Sequence, residues 1–216
     1  MNKALSSSLS SRQTHCVNAF HVYDWIQKKY EGELDVFRSN GTDGIISGIN
    51  LCDLLLQRNR FFIEAMIVDE NGCLISPERG ITITELTNSM TRSKKRLNDE
   101  GNCPVLHRAV IQKQGQYVLT LIDKTTGQVC RSNLIPFTIQ ESVHLYAPLD
   151  TTIQVDVTNV EFNVTPSCIN NVQELRVEVS ICQSITSGCT KTIEIEGSCI
   201  TPREDLRPSH CKHKIY

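Results

Sequence analysis

With 216 residues, 39% of them hydrophobic and 21% charged, the chain is long enough for one substantial core or two small ones and lies far from disordered compositions. A formal charge of -2 gives no field that would gather nucleic acid, and no run reaches the ~18 apolar residues of a membrane span. Ten cysteines are about twice the usual frequency, in a chain whose first residues lack the apolar core of an export signal.

Residues 1–14 are serine-rich and unpatterned, which predicts a flexible arm. The segment 15–26 holds the only tryptophan. Val22, Tyr23, Trp25 and Ile26 fit neither strict alternation nor a long helical face, so a strand ending in a turn and a short helix are equally compatible, with the aromatics expected as an anchor on the core. Residues 30–48 are polar, with Gly41, Gly44 and Gly48 close together, and predict a loop; the GTDG string lacks the spacing of a phosphate cradle. Residues 48–56 are ambiguous. The run FFIEAMIV at 61–68, followed by Asn71-Gly72 and then Cys73-Leu74-Ile75, predicts a hairpin, because Asn-Gly tolerates the positive φ of a tight turn. Ile81 and Ile83 predict a short strand. Arg92, Lys94, Lys95 and Arg96 form a basic cluster without interleaved aromatics and read as a solvated loop. Residues 106–112 and 117–122, on either side of Gly115, predict a second hairpin, and residues 124–127 turn the chain again before 128–131.

The clearest periodicity lies in residues 134–165. Phe137, Ile139, Val143 and Leu145 share one parity and Thr138, Gln140, Ser142 and His144 the other, which is the repeat of a half-buried strand. Ala147-Pro148-Leu149-Asp150 interrupts it. A new alternation through Ile153, Val155 and Val157 shifts phase to Val160, Phe162 and Val164, which predicts a bulge or kink at Thr158-Asn159; Pro166 is expected to close the run. Leu175, Val177, Val179 and Ile181 then alternate with Glu174, Arg176, Glu178 and Ser180. Residues 184–188 are expected to turn before Ile193 and Ile195 return. Strand candidates about every ten residues, separated by turn chemistry, predict an all-β, mainly antiparallel fold. A β-sandwich or jelly-roll-like body and two packed β domains both satisfy it, in either case with flexible termini. The expected divisions are a Ser-rich arm at 1–14, a β-rich N-terminal region at 15–149, a C-terminal β region at 150–199 and a flexible tail at 200–216.

Cysteine spacing discriminates among chemistries. Structural zinc usually comes in CxxC-like pairs, and here the closest pair is Cys182 and Cys189. His15-Cys16 together with His210-Cys211-Lys212-His213 could assemble a soft site, but two tails bearing reactive thiols are the simpler reading, so no metal or cofactor is expected. No GxSxG, HExxH or papain-like string occurs, His107 and His144 read as ordinary imidazoles, and no enzyme is expected. Disulfides remain. Cys182 has the outward parity of Glu178 and Ser180, and Cys16, Cys189, Cys199 and Cys211 fall in expected turns or tails; these five are the candidates for bridges between molecules. Cys52 and Cys130 read as ordinary buried thiols. The sequons at Asn40 and Asn163 read as polar turns.

Two strings carry a resemblance. CVNAFHVYDWIQ at 16–27 resembles a Cys-Val-x-x-x-x-Val-Tyr-Asp-Trp pattern. FTIQESVHLYAPLDTTIQVDVTNVEF at 137–162 resembles a strand, an Ala-Pro step, a small acidic turn and a Thr-Thr-x-Gln-Val strand. Both patterns are those of cysteine-rich proteins of endospore coats and surface layers in Gram-positive spore formers. The positions that match are Cys16, Val22, Tyr23, Asp24, Trp25, Ala147 and Pro148, whereas the pattern has a cysteine where Tyr146 stands. The resemblance implies a non-enzymatic, self-assembling building block of the spore coat or exosporium, cross-linked by disulfides to its own copies and to other coat proteins. It also implies synthesis in the mother-cell cytoplasm without a signal peptide, and oxidation only after deposition on the spore surface, which would reconcile many cysteines with no export signal. Nucleic acid, membrane and small-molecule substrates are not expected as partners. The alternative is a β-sandwich binding or adhesion module that presents loops such as 30–48 to a ligand or partner protein.

Overall fold

The computed structural model describes residues 13–40, 46, 50–56, 60–96 and 105–197. These form β1 (Gln13–Asn40), α1 (Leu51–Leu55), β2 (Phe61–Val68), α2 (Pro77–Gly80), β3 (Ile81–Glu85), β4 (Ser93–Arg96), β5 (Val105–Asp123), β6 (Val129–Arg131), β7 (Ile135–Leu145), β8 (Thr152–Ile169) and β9 (Val172–Gly197). The architecture is all-β and mainly antiparallel, in two sheets. Residues 13 and 14, expected in the arm, already belong to β1; the rest of the arm and the tail at 200–216 lie outside the described residues. The segment 15–26 and the expected loop from residue 30 to Asn40 are strand as well.

β5 is the spine of the larger sheet. Along one edge it pairs in succession with β4, β3 and β2, and along the other with β7 and then β6. Residues 111–117 of β5 have partners on both sides, so these pairings occupy opposite edges. The hairpin expected about Gly115 is therefore absent, and the strand runs straight through. A Cβ at Gly115 would lie 2.7 Å from the Gly80 carbonyl oxygen and 2.8 Å from the Phe137 ring, so the glycine admits a close approach instead of a turn.

The smaller sheet has the order β1, β9, β8. Its register slips between Val157 and Asn159, leaving Thr158 as the extra residue of the bulge that the phase change predicts. β8 does not stop at Pro166, which pairs with Leu175 at the sheet edge, where a missing N–H costs no ladder bond. The turn comes at Asn170 and Asn171, with φ of 52° and 62°, a two-residue connection whose asparagines tolerate the left-handed region. Residues 184–188, expected as a turn, continue β9: Ser187 and Gly188 are buried, and the Ser187 hydroxyl donates to the Tyr146 carbonyl at 2.9 Å.

Odd-numbered residues of β5 and β7, and those of β9 from Gln173 to Ser187, point inward. One cluster joins Tyr117, Leu119 and Phe137 of the larger sheet to Val177, Val179 and Ile181 of the smaller. A second joins Ala109, Ile111, Val143 and Leu145 to Ile185. Because each mixes the two sheets, they pack face to face. All these residues belong to one compact unit, His21–Cys189, and the division expected at residue 150 falls inside it, at a turn where Asp150 has φ 63°. The second unit comprises Met1–Phe20 and Thr190–Tyr216; in its described part the Thr192 hydroxyl donates to Asn18 Oδ1 at 2.8 Å.

Arg92 corrects the reading of the basic cluster. Lys94 and Lys95 are exposed, but Arg92 is buried, with two nitrogens on the Glu85 carboxylate at 2.8 and 2.9 Å and two on Thr151 at 2.8 Å (Oγ1) and 3.0 Å (carbonyl). It ties the end of β3 to the turn before β8.

At the far end of β5, Arg60 Nη2 lies 2.7 Å from Asp123 Oδ2, and the Thr125 amide donates to Asp123 Oδ1 at 2.8 Å. The Arg60 guanidinium, helped by the turn amides, holds the Asp123 carboxyl well below the usual carboxylate range. A depressed folded value contributes stability that is present above the unfolded pKa of about 4 and is lost as pH falls through the folded one. Asp123→Asn is therefore expected to melt below the parent at neutral pH, with the two curves converging in acid; thermal melts from pH 7 down to pH 2 measure it.

Candidate functional site

The thiols differ in what the backbone does with them. Cys52, at the start of α1, is bonded to Cys168 of β8, with Cα atoms 5.3 Å apart. This corrects the reading of Cys52 as an ordinary buried thiol. A five-residue helix has almost no stability of its own, and α1 is held from outside: Asn50 Oδ1 caps the Cys52 amide at 2.9 Å, and Gln173 Oε1 accepts from the Leu51 amide at 2.9 Å.

Cys73 is exposed and was not among the five candidates. Asp69 Oδ1 accepts from the amides of Asn71 and Cys73 at 2.9 and 2.8 Å, and Gly72 takes φ 77°, so the Asn-Gly turn presents the thiol on fixed backbone. The return limb of this expected hairpin makes one bridge, Val68 to Leu74, while β2 itself pairs with β5. A cysteine directly after a tight turn was the available signal. Cys16 is exposed too, on strand β1 and not in a tail.

Cys182 has the outward parity expected but is only half-buried; it stands opposite the Thr158 bulge, in a surface depression of about 310 Å³ with Lys28 and Lys29. Cys189 lies within strand β9, half-buried, with Sγ 3.9 Å from the Tyr23 hydroxyl. Cys130, expected buried, is half-buried in β6. Cys199 and Cys211 lie outside the described residues, as does the HCKHK segment. Among the described residues, no group of three or more His, Cys, Asp or Glu could hold a metal ion.

The strings of residues 16–27 and 137–162 meet in space. Asp24 Oδ2 accepts from the Tyr146 amide at 2.7 Å, the rings of Tyr23 and Tyr146 are 6.2 Å apart, and buried Ala147 donates its amide to His107 Nδ1 at 3.3 Å. Burial lowers the His107 pKa, in keeping with a neutral imidazole that accepts this bond. Pro148 offers its carbonyl to the Thr151 hydroxyl at 2.7 Å, fixing the turn. Val22 is exposed, and Trp25, expected as a core anchor, is 59% exposed with its indole N–H donating to Ser184 Oγ. His144 is exposed, as its parity implies.

No family model, curated protein or solved structure matches the chain.

What the surface can do chemically follows from its own residues. Exposed thiols on ordered backbone can attack or be attacked in thiol–disulfide exchange, at rates set by access and thiolate fraction. Away from them, Leu54, Leu56, Phe61, Phe62, Val164 and Pro166 line an apolar groove of about 840 Å³ beside the Cys52–Cys168 bond.

Proposed function

We propose that the chain is a non-enzymatic structural subunit, joined to copies of itself and to neighbouring proteins by disulfides, and that its setting is the bacterial spore coat or outer spore layer, where oxidation follows deposition. The observation that carries the reading is the exposure of Cys16 on a strand and of Cys73 on a turn fixed by Asp69, both outside the buried core. A thiol that serves packing would be inside. The setting rests on the resemblance of the strings at 16–27 and 137–162, whose contact through Asp24 and Tyr146 gives both a part in one surface feature.

Oxidised full-length protein is expected to run as a ladder on non-reducing gels and to collapse to a monomer with reductant. Cys16→Ser and Cys73→Ser are each expected to shorten the ladder. A monomer band from the oxidised parent would overturn the proposal. The second reading, a binding module, is favoured by the apolar groove beside α1; it requires a clean monomer whose ligand binding is lost on Phe62→Asp.

A further inference from the structure

The inward face of the larger sheet is apolar along most of β5 and β7, with two acid–base exceptions at its centre: Lys113 and Glu141. Opposite them on β9 stands Gln183. These three side chains meet at one point, where Glu141 Oε1 accepts from both Lys113 Nζ and Gln183 Nε2. They are 0%, 7% and 3% exposed respectively. The ring of Tyr30 closes the site, 5.4 Å from Lys113 Nζ, and Lys28 Nζ lies 2.9 Å from the other Glu141 oxygen. The Gln183 carbonyl oxygen is buried without a hydrogen-bond partner.

As separate groups these residues are a poor way to fill a core. Two charges must be desolvated, and a well-packed apolar trio would serve stability as well or better. Their arrangement has another use, since an amine and a carboxamide are bridged by a carboxylate in a site closed to water. We propose that Lys113 and Gln183 become joined by an intramolecular amide bond that welds the two sheets, with Glu141 carrying the proton. Glu141 takes a proton from the Lys113 ammonium. The freed Nζ lone pair attacks Gln183 Cδ, forming the new C–N bond as the bond from Cδ to the original amide nitrogen breaks. The newly bonded Nζ sheds a second proton, and Glu141 passes both protons to the departing nitrogen, which leaves as an ammonium ion. Lysine ammonium and glutamine carboxamide thus become a secondary amide and an ammonium ion, with no oxidant or cofactor required.

The surroundings suit each step. Burial pushes the Lys113 amine below its ordinary value, toward the nucleophilic form. Burial raises the Glu141 carboxyl, but hydrogen bonds from Lys113, Gln183 and Lys28 outweigh it and hold the group below its ordinary value, as a base. Lys28 remains as the counter-ion of Glu141 once Lys113 has lost its charge. Fixed proximity replaces the activation that a free amine and amide would need, and departure of ammonia makes the step one-way.

The test is the intact mass of the full-length chain, purified, reduced and unfolded. It is expected to fall short of the sequence mass by one ammonia, and digestion is expected to yield a linked peptide pair containing Lys113 and Gln183. A succinimide at Asn71-Gly72 would also lose ammonia, but hydroxylamine opens it and leaves the amide intact. Lys113→Met and Glu141→Gln are each expected to restore the lost mass. A parent of full mass would overturn the proposal, as would a loss that hydroxylamine reverses. Loss of water, with Lys113 linked to Glu141, would overturn the assignment of Gln183 as acceptor. None of these results depends on the cysteines, so the outcome stands apart from that of the gel experiment.

Discussion

Glu85→Ala is expected to lower the stability of the fold by about 3–5 kcal/mol, the range for leaving one member of a buried pair without its partner. The Arg92 side chain is 1% exposed and that of Glu85 16%, so little solvent screens the pair. Removing the carboxylate strands the guanidinium against the Thr151 carbonyl and hydroxyl, which cannot neutralise it. The Thr87 hydroxyl, which donates to Glu85 Oε1 at 2.8 Å, loses its acceptor as well. Urea denaturation should show a lower midpoint with an unchanged slope, and Glu85→Gln, which keeps acceptors but no charge, should fall between parent and alanine variant. A Glu85→Ala midpoint within error of the parent would mean that the guanidinium finds water on its own.

Arg92 also marks where the sequence could not be read. Beside Lys94 and Lys95 its charge looks like part of a solvated run; beyond the pair with Glu85 it donates two hydrogen bonds to Thr151, 59 residues away, and a contact at that separation has no local signal. Gly115 misleads in the same way. Glycine between two apolar runs is ordinary hairpin chemistry, whereas here the backbone of Gly80 and the ring of Phe137 need the space. Alternation did its work where one face is buried and the other wet: β7, the inward parity of β9 from Leu175 to Ile181 and the bulge at Thr158 follow from parity, because a shift of one residue would turn every side chain to the wrong face. β1 gave no such signal, since most of its side chains are exposed or half-buried. The same difference governs the thiols. The outward parity of Cys182 was legible, but the solvent contact of Cys73 depends on a turn geometry that only Asn71-Gly72 hints at, and the Cys52–Cys168 pair spans 116 residues.

That span makes the disulfide the other large contributor. Closing so long a loop in the unfolded chain is worth about 4–5 kcal/mol on the loop-entropy scale, within a usual loss of ~2–5 kcal/mol when such a bond is removed. The double variant Cys52→Ser, Cys168→Ser is therefore expected to melt well below the parent under non-reducing conditions. Reductant should lower the parent toward the variant and leave the variant unmoved; a parent whose melting point ignores reductant would have no such bond. The loss should be concentrated at α1, whose five residues depend on the bond, on the Asn50 cap and on Gln173, so hydrogen exchange there should rise first. The same variant separates the two roles of sulfur. Cys16 and Cys73 take no part in the intrachain bond, so oxidised Cys52→Ser, Cys168→Ser should still form ladders, built from less stable subunits. Loss of the ladder in that variant would instead make Cys52 and Cys168 the linking thiols, exchanged between chains, and the exposed pair would no longer account for assembly.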